Sequence, residues 1–137
     1  TAGYLGGLHR QKHLLIGIYL ARAAIIAVFI SVPLTETSAM IFAGMMGFIW
    51  LGTVPLTSGI VARVFGPRYM ATLFGVVFLS HQLGNFAGAW IGGLVFDATG
   101  RYDAVWWMAI GLSLAAAALH APIDDRPVAR LAAAVAA

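Results

Sequence analysis

The residues best equipped for chemistry lie in one short run, Ser80-His81-Gln82-Leu83-Gly84-Asn85. His81 and Asn85 are four apart and share one face of a helix, with Gln82 about 100° round from His81. Amide and imidazole groups can hydrogen-bond a small polar ligand, and an imidazole also exchanges a proton near neutral pH. The same three side chains serve equally well to bond one helix to another, at about 1 kcal/mol each. Both readings require them to turn away from lipid, toward a bundle interior or a water-filled path. The other chemically costly group is Arg22, a charge inside an apolar stretch. Burial at a membrane centre costs about 2.5–3.5 kcal/mol or more. Arg22 stands eight residues beyond Leu14, where that stretch begins, so it can also snorkel toward the membrane surface.

Other chemistry finds no support. The chain has no cysteine, which excludes disulfides, thiolate metal sites and a cysteine nucleophile. His9 and His13 lack acidic or cysteine companions at ligand spacing, and Asp97 and Asp103 are too isolated for a catalytic pair. No nucleophile elbow, phosphate loop or HExxH motif occurs. The expectation is a protein without enzymatic activity, metal or cofactor.

The elements that must carry these residues follow from composition. Hydrophobic residues make up 61% and charged residues 9% of the 137-residue chain, against about 45–50% and about 25% in soluble domains. The few charges separate long apolar runs, which suits an apolar solvent. Four stretches, 14–32, 39–62, 69–96 and 104–121, match the roughly 20 residues that a helix needs to cross a bilayer. No period-two alternation suggests a barrel. The fold class is therefore an all-α transmembrane bundle of four spanning helices over residues 14–123. A basic segment, 1–13, precedes it and a tail, 124–137, follows. The first of these opens without methionine on TAGYLGGL, which reads as the end of a helix begun upstream.

Short connections carry turn chemistry. Pro33 to Ser38 offers Thr37 or Ser38 as an N-cap, and Gly66-Pro67 and Asp97 to Asp103 break the chain between later spans. With alternating helices, Arg10, Lys12, Arg63, Arg68, Arg126 and Arg130 fall on one side, while Glu36, Asp97, Arg101 and Asp103 fall on the other. The positive-inside rule then predicts a multi-pass protein of the cell's inner (plasma) membrane with a cytoplasmic C-terminus. The net charge of +3 includes no dense basic run, so nucleic acid is not an expected partner. Trp106 and Trp107 read as interface anchors. Gly84, Gly88 and Gly92 line one helix face and permit close packing, either static or sliding. Pro55 should kink its helix and free a carbonyl near Leu51, for Thr53, Thr57 or Ser58 to satisfy.

Three stretches carry a family resemblance: GYLGGLHRQKHLLIGIYLARA, the long run from FIWLGTVPLTSG to GGLVFDATGRYD, and the closing WW segment. Together they resemble the last third of a major facilitator superfamily transporter, especially its bacterial monocarboxylate or organic-anion branch. The resemblance implies helices 9 to 12 of a twelve-helix protein with alternating access, the chain being a fragment unable to transport alone. The implied partners are the lipid bilayer, the remaining helices of the parent and a small organic anion, with a coupled proton as an option. It also implies that the second and third spans face the central cavity, making His81, Gln82 and Asn85 substrate-binding residues, and that Arg22 lies on a supporting helix. Arg10 and Lys12 match the family's basic loop, which usually carries an acidic residue where this chain has Leu8 and His9. Two other readings compete: a complete four-helix protein acting as a dimeric multidrug transporter, and an accessory or assembly subunit. The former class uses a membrane-embedded glutamate, whereas Glu36 falls in a connection.

Overall fold

The computed structural model describes residues 11–124, apart from the side chain of Pro67. Over these residues the chain is all-α, with four helices and no strand: α1 Gln11–Ser31, α2 Glu36–Phe65, α3 Pro67–Thr99 and α4 Asp103–His120. Helices α1, α2 and α4 are long and apolar enough to cross a membrane. Although α3 is the longest helix, it is not among these three. Its length suffices, but the run from Ser80 to Asn85 puts polar groups at its middle.

Helix boundaries follow local hydrogen bonding rather than the edges of the apolar stretches. Thr35, not Thr37 or Ser38, caps α2. The Thr35 hydroxyl accepts from the Ser38 backbone N–H at 3.1 Å, and the Ser38 hydroxyl accepts from the Thr35 N–H at 2.8 Å. This reciprocal box satisfies two donors that would otherwise face an apolar medium, so the helix starts earlier than hydropathy suggests. Glu36 consequently belongs to the first turn of α2, where the helix dipole favours its charge. At the other end Gly66 adopts φ 77°, a left-handed value that a residue with a Cβ resists, and Pro67 then starts α3.

α2 continues as a single helix through Pro55. The expected repair of the Leu51 carbonyl by a neighbouring hydroxyl does not form. Thr53 donates to the Ile49 carbonyl at 3.3 Å, Thr57 to Thr53 at 2.9 Å and Ser58 to Pro55 at 3.1 Å. A hydroxyl on a helix reaches back three or four residues, which puts Leu51 out of range for Thr53, Thr57 and Ser58 alike.

α1 is the hub, packing most extensively on α4 and next on α2, whereas α3 leans chiefly on α2. Ala23 and Ile26 of α1 meet Ile110 of α4 in a small core that Phe42, Met46 and Trp106 help to close. Phe29 stacks on Phe42 at 4.1 Å, and the edge of this pair meets Trp106 at 5.5 and 5.7 Å. Trp106 therefore points into the bundle, and only Trp107 is left exposed in the manner of an anchor. Ser113, buried in the same seam, satisfies itself by donating to the Ala109 carbonyl at 2.8 Å. Without water to expel, such contacts hold helices together by dispersion and close fit.

Lys12 belongs to α1 rather than to a preceding loop, and its Nζ donates to the carbonyls of Ile123 at 2.9 Å and Ala121 at 3.4 Å. It thereby neutralises the negative end of α4 and fixes the antiparallel pairing of α1 with α4. Lys12, Arg63 and Arg68 gather at this end of the bundle, while Glu36, Asp97 and the Arg101–Asp103 ion pair (2.6 Å) lie at the opposite end. Arg10 and the tail from residue 125 lie outside the described residues.

The capping box yields a direct expectation. Thr35→Ala should destabilise the protein by about 1 kcal/mol, whereas Thr37→Ala should leave thermal unfolding in detergent nearly unchanged. A larger loss from Thr37→Ala would contradict the assigned cap.

Candidate functional site

The polar run of α3 is held away from its neighbours. From Gly75 to Trp90 every residue except Ala87 is exposed. Asn85 Nδ2 donates to Gln82 Oε1 at 3.2 Å, leaving an amide oxygen on Asn85 and an amide NH2 on Gln82 for another partner. Ser80 turns its hydroxyl back to the Val76 carbonyl at 3.0 Å. The ring nitrogens of His81 make no hydrogen bond among the described residues. The imidazole instead meets Trp50 edge-on at 5.5 Å and Phe78 at 6.4 Å.

Helical geometry places His81, Gly84, Asn85, Gly88 and Gly92 within one sector of α3. A Cβ added at Gly84, Gly88 or Gly92 would meet nothing within 4 Å. Within these four helices, then, the glycine face touches no neighbour closely. The close contact in the bundle is at Gly59 of α2, where an added Cβ would come within 2.6 Å of the Gln11 side chain. Opposite the polar sector, Leu79, Leu83, Phe86 and Trp90 form an exposed apolar face suited to lipid.

Arg22 is joined to this region through aromatic rings. Its guanidinium carbon lies 5.5 Å from the centre of the Tyr19 ring and 5.7 Å from that of Trp50. Tyr19 in turn packs on His120 of α4 at 5.1 Å, whose Nδ1 lies 2.7 Å from the Ala116 carbonyl. A line of rings and one cation thus runs from α4 through α1 and α2 to His81 of α3. Arg22 does not sit near the end of its helix, as the start of the apolar stretch suggested. It is the twelfth of the 21 residues of α1. At 1.5 Å per residue the helix is about 31 Å long, close to the hydrocarbon thickness, so Arg22 falls near mid-depth. Its Nε is buried and has no hydrogen-bond partner among the described residues. Sequence alone gave no sign of this arrangement, because Tyr19 and Trp50 meet only after α1 and α2 pair antiparallel.

The cleft between α1 and α2, about 480 Å³, is lined mainly by Ala24, Ile25, Val28, Val32, Ile41 and Met45. The rest of the lining includes the hydroxyl residues Thr35, Thr37 and Ser38, so the cleft is chiefly apolar with a few polar groups around the start of α2. Among the described residues no group of three histidine, aspartate or glutamate side chains could hold a metal ion.

Over 106 residues, 77% of its length, the chain is 28% identical to YfhI of Bacillus subtilis (strain 168), described as an uncharacterized MFS-type transporter. It spans 26% of that relative's length. No family model matches the chain, and no solved structure matches it. The three apolar helices place this multi-pass protein in contact with a lipid bilayer.

If Trp50 holds Arg22 by its ring face, Trp50→Leu should cost about 1 kcal/mol of stability and Trp50→Phe clearly less. Thermal unfolding of the two variants checks this. Equal losses would mean that Trp50 contributes bulk alone.

Proposed function

We propose that this chain is part of a secondary transporter of the major facilitator type that moves a small, monocarboxylate-like organic anion by alternating access. The observation that carries the reading is the exposed polar run at the middle of α3. Imidazole and amide groups at that depth must face either water or other polar groups, because lipid offers no hydrogen bonds. None of the other three helices covers them, so the reading supplies a substrate path on that side. His81, Gln82 and Asn85 are its binding residues, with His81 able to carry a coupled proton. The likeness to an MFS-type transporter supports the same class.

In this reading the remaining helices of a longer protein cover α3, and the glycine face of Gly84, Gly88 and Gly92 lets one of them approach or slide. Pro55, through which α2 continues as one helix, lies in the helix that contacts α3 through Trp50. The basic end that carries Lys12, Arg63 and Arg68, with Arg10, is cytoplasmic by the positive-inside rule. The protein then sits in the inner (plasma) membrane with its C-terminus in the cytoplasm.

Uptake of radiolabelled monocarboxylates by proteoliposomes of the full-length protein tests this. Gln82→Ala and Asn85→Ala should each raise KM about ten- to a hundredfold, the loss expected from one hydrogen bond to a charged ligand, while the protein still inserts normally. Unchanged kinetics in both variants would remove these residues from the substrate path. Uptake by the 137-residue chain alone would favour the complete four-helix transporter instead.

A further inference from the structure

We propose that Arg22, on α1, receives the carboxylate of the transported anion; the inference rests on the transport reading above and adds a cationic subsite to it. Three observations converge. Arg22 stands eleven residues from Gln11 and nine from Ser31, so both helix ends are about 13 Å or more away. Its stem of three methylenes does not bridge that distance, which removes the snorkelling explanation. Its charge is also uncompensated among the described residues. Glu36, Asp97, Asp103 and Asp124 all lie at helix ends or beyond them, no hydrogen bond reaches the guanidinium, and Nε is buried without an acceptor.

The third observation is the clamp. Tyr19 and Trp50 lie against the guanidinium at 5.5 and 5.7 Å. Aromatic faces attract a cation without neutralising it, and they orient the planar group while leaving its in-plane N–H fork free. That fork matches the two oxygens of a carboxylate. The same Trp50 indole meets His81, the first of the α3 residues assigned to substrate, at 5.5 Å. Trp50 thus touches both the mid-membrane cation and the first residue of the polar run of α3 assigned to substrate. A lipid phosphate offers similar oxyanion chemistry, but it resides at the bilayer surface, beyond the reach of Arg22.

The test is thermal unfolding of the full-length protein in detergent and in zwitterionic or phosphatidylglycerol nanodiscs. The soluble probes are acetate, pyruvate and benzoate, each paired with its neutral amide. At least one carboxylate should raise the unfolding temperature by several degrees while its amide does not. Arg22→Gln should abolish that rise, and its ligand-free unfolding temperature should equal or exceed that of the wild type, since it removes an uncompensated charge. Arg22→Lys, which keeps the charge but not the fork, should weaken the half-saturating concentration about tenfold; should Arg22→Gln not fold, this variant decides, and unaltered affinity overturns the assignment. A carboxylate response retained in Arg22→Gln overturns the subsite and leaves the transport reading standing. A wild type indifferent to every carboxylate overturns the anion reading and the subsite together. Stabilisation by phosphatidylglycerol alone, lost in Arg22→Gln, assigns Arg22 to a lipid headgroup and overturns the proposal.

Discussion

Inside a bilayer a polar group has no water to fall back on, and nearly every feature of this chain answers to that constraint. Backbone groups meet it by forming helices. Hydroxyls meet it by turning back onto their own helix, as Ser80, Thr57 and Ser113 do. Helix ends meet it with the Thr35–Ser38 box and with Lys12 on the last carbonyls after α4. Among the described residues Gln11 Oε1 is left buried without a partner at the start of α1. Near the middle of the helices four groups stay open: the imidazole of His81, the spare amide groups of Gln82 and Asn85, and the guanidinium of Arg22. Trp50 touches two of them, Arg22 and His81, and the other two lie beside His81 on α3.

The packing gradient points the same way. The seam between α1 and α4 contains the buried residues Ala23, Ile26, Ile110, Ser113 and Ala117, whereas the middle of α3 is exposed almost throughout. A helix with one lipid-compatible face and one polar, glycine-lined face suits a boundary between a scaffold and a path. The pair α1–α4 is the most extensively packed, and α2 reaches α3 through the contact of Trp50 with His81.

Much of the architecture was legible in the sequence. Long apolar runs broken by Gly66-Pro67 and by the segment 97–103 prescribe four helices, because hydropathy and turn chemistry are local properties. The polar run of α3 was legible too, since its residues are adjacent in the chain. Local competition hid the cap at Thr35, where a hydroxyl pair extends α2 past the apolar boundary. It also misled over Pro55, where each nearby hydroxyl found a different carbonyl. What sequence could not reveal was tertiary: that Trp106 points inward against Phe29 and Phe42, that α1 pairs most closely with α4, and that Tyr19 and Trp50 converge on Arg22. The aromatic contacts among them join residues as far apart in the chain as Phe29 and Trp106, and no periodic pattern encodes them.

The central claim is that the His81–Asn85 face of α3 borders water rather than lipid. The native chain contains no cysteine, so single cysteines introduced into the full-length protein, with any others removed, report on each position separately. The decisive measurement is the labelling rate by a membrane-impermeant thiol reagent at positions 81, 85 and 88 compared with 79, 83 and 86. The account predicts rapid labelling of the first set, slowed by a transported carboxylate, and little labelling of the second. Equal and negligible labelling of both sets would contradict it, because the polar face would then be sealed against another helix and no aqueous path would run along α3.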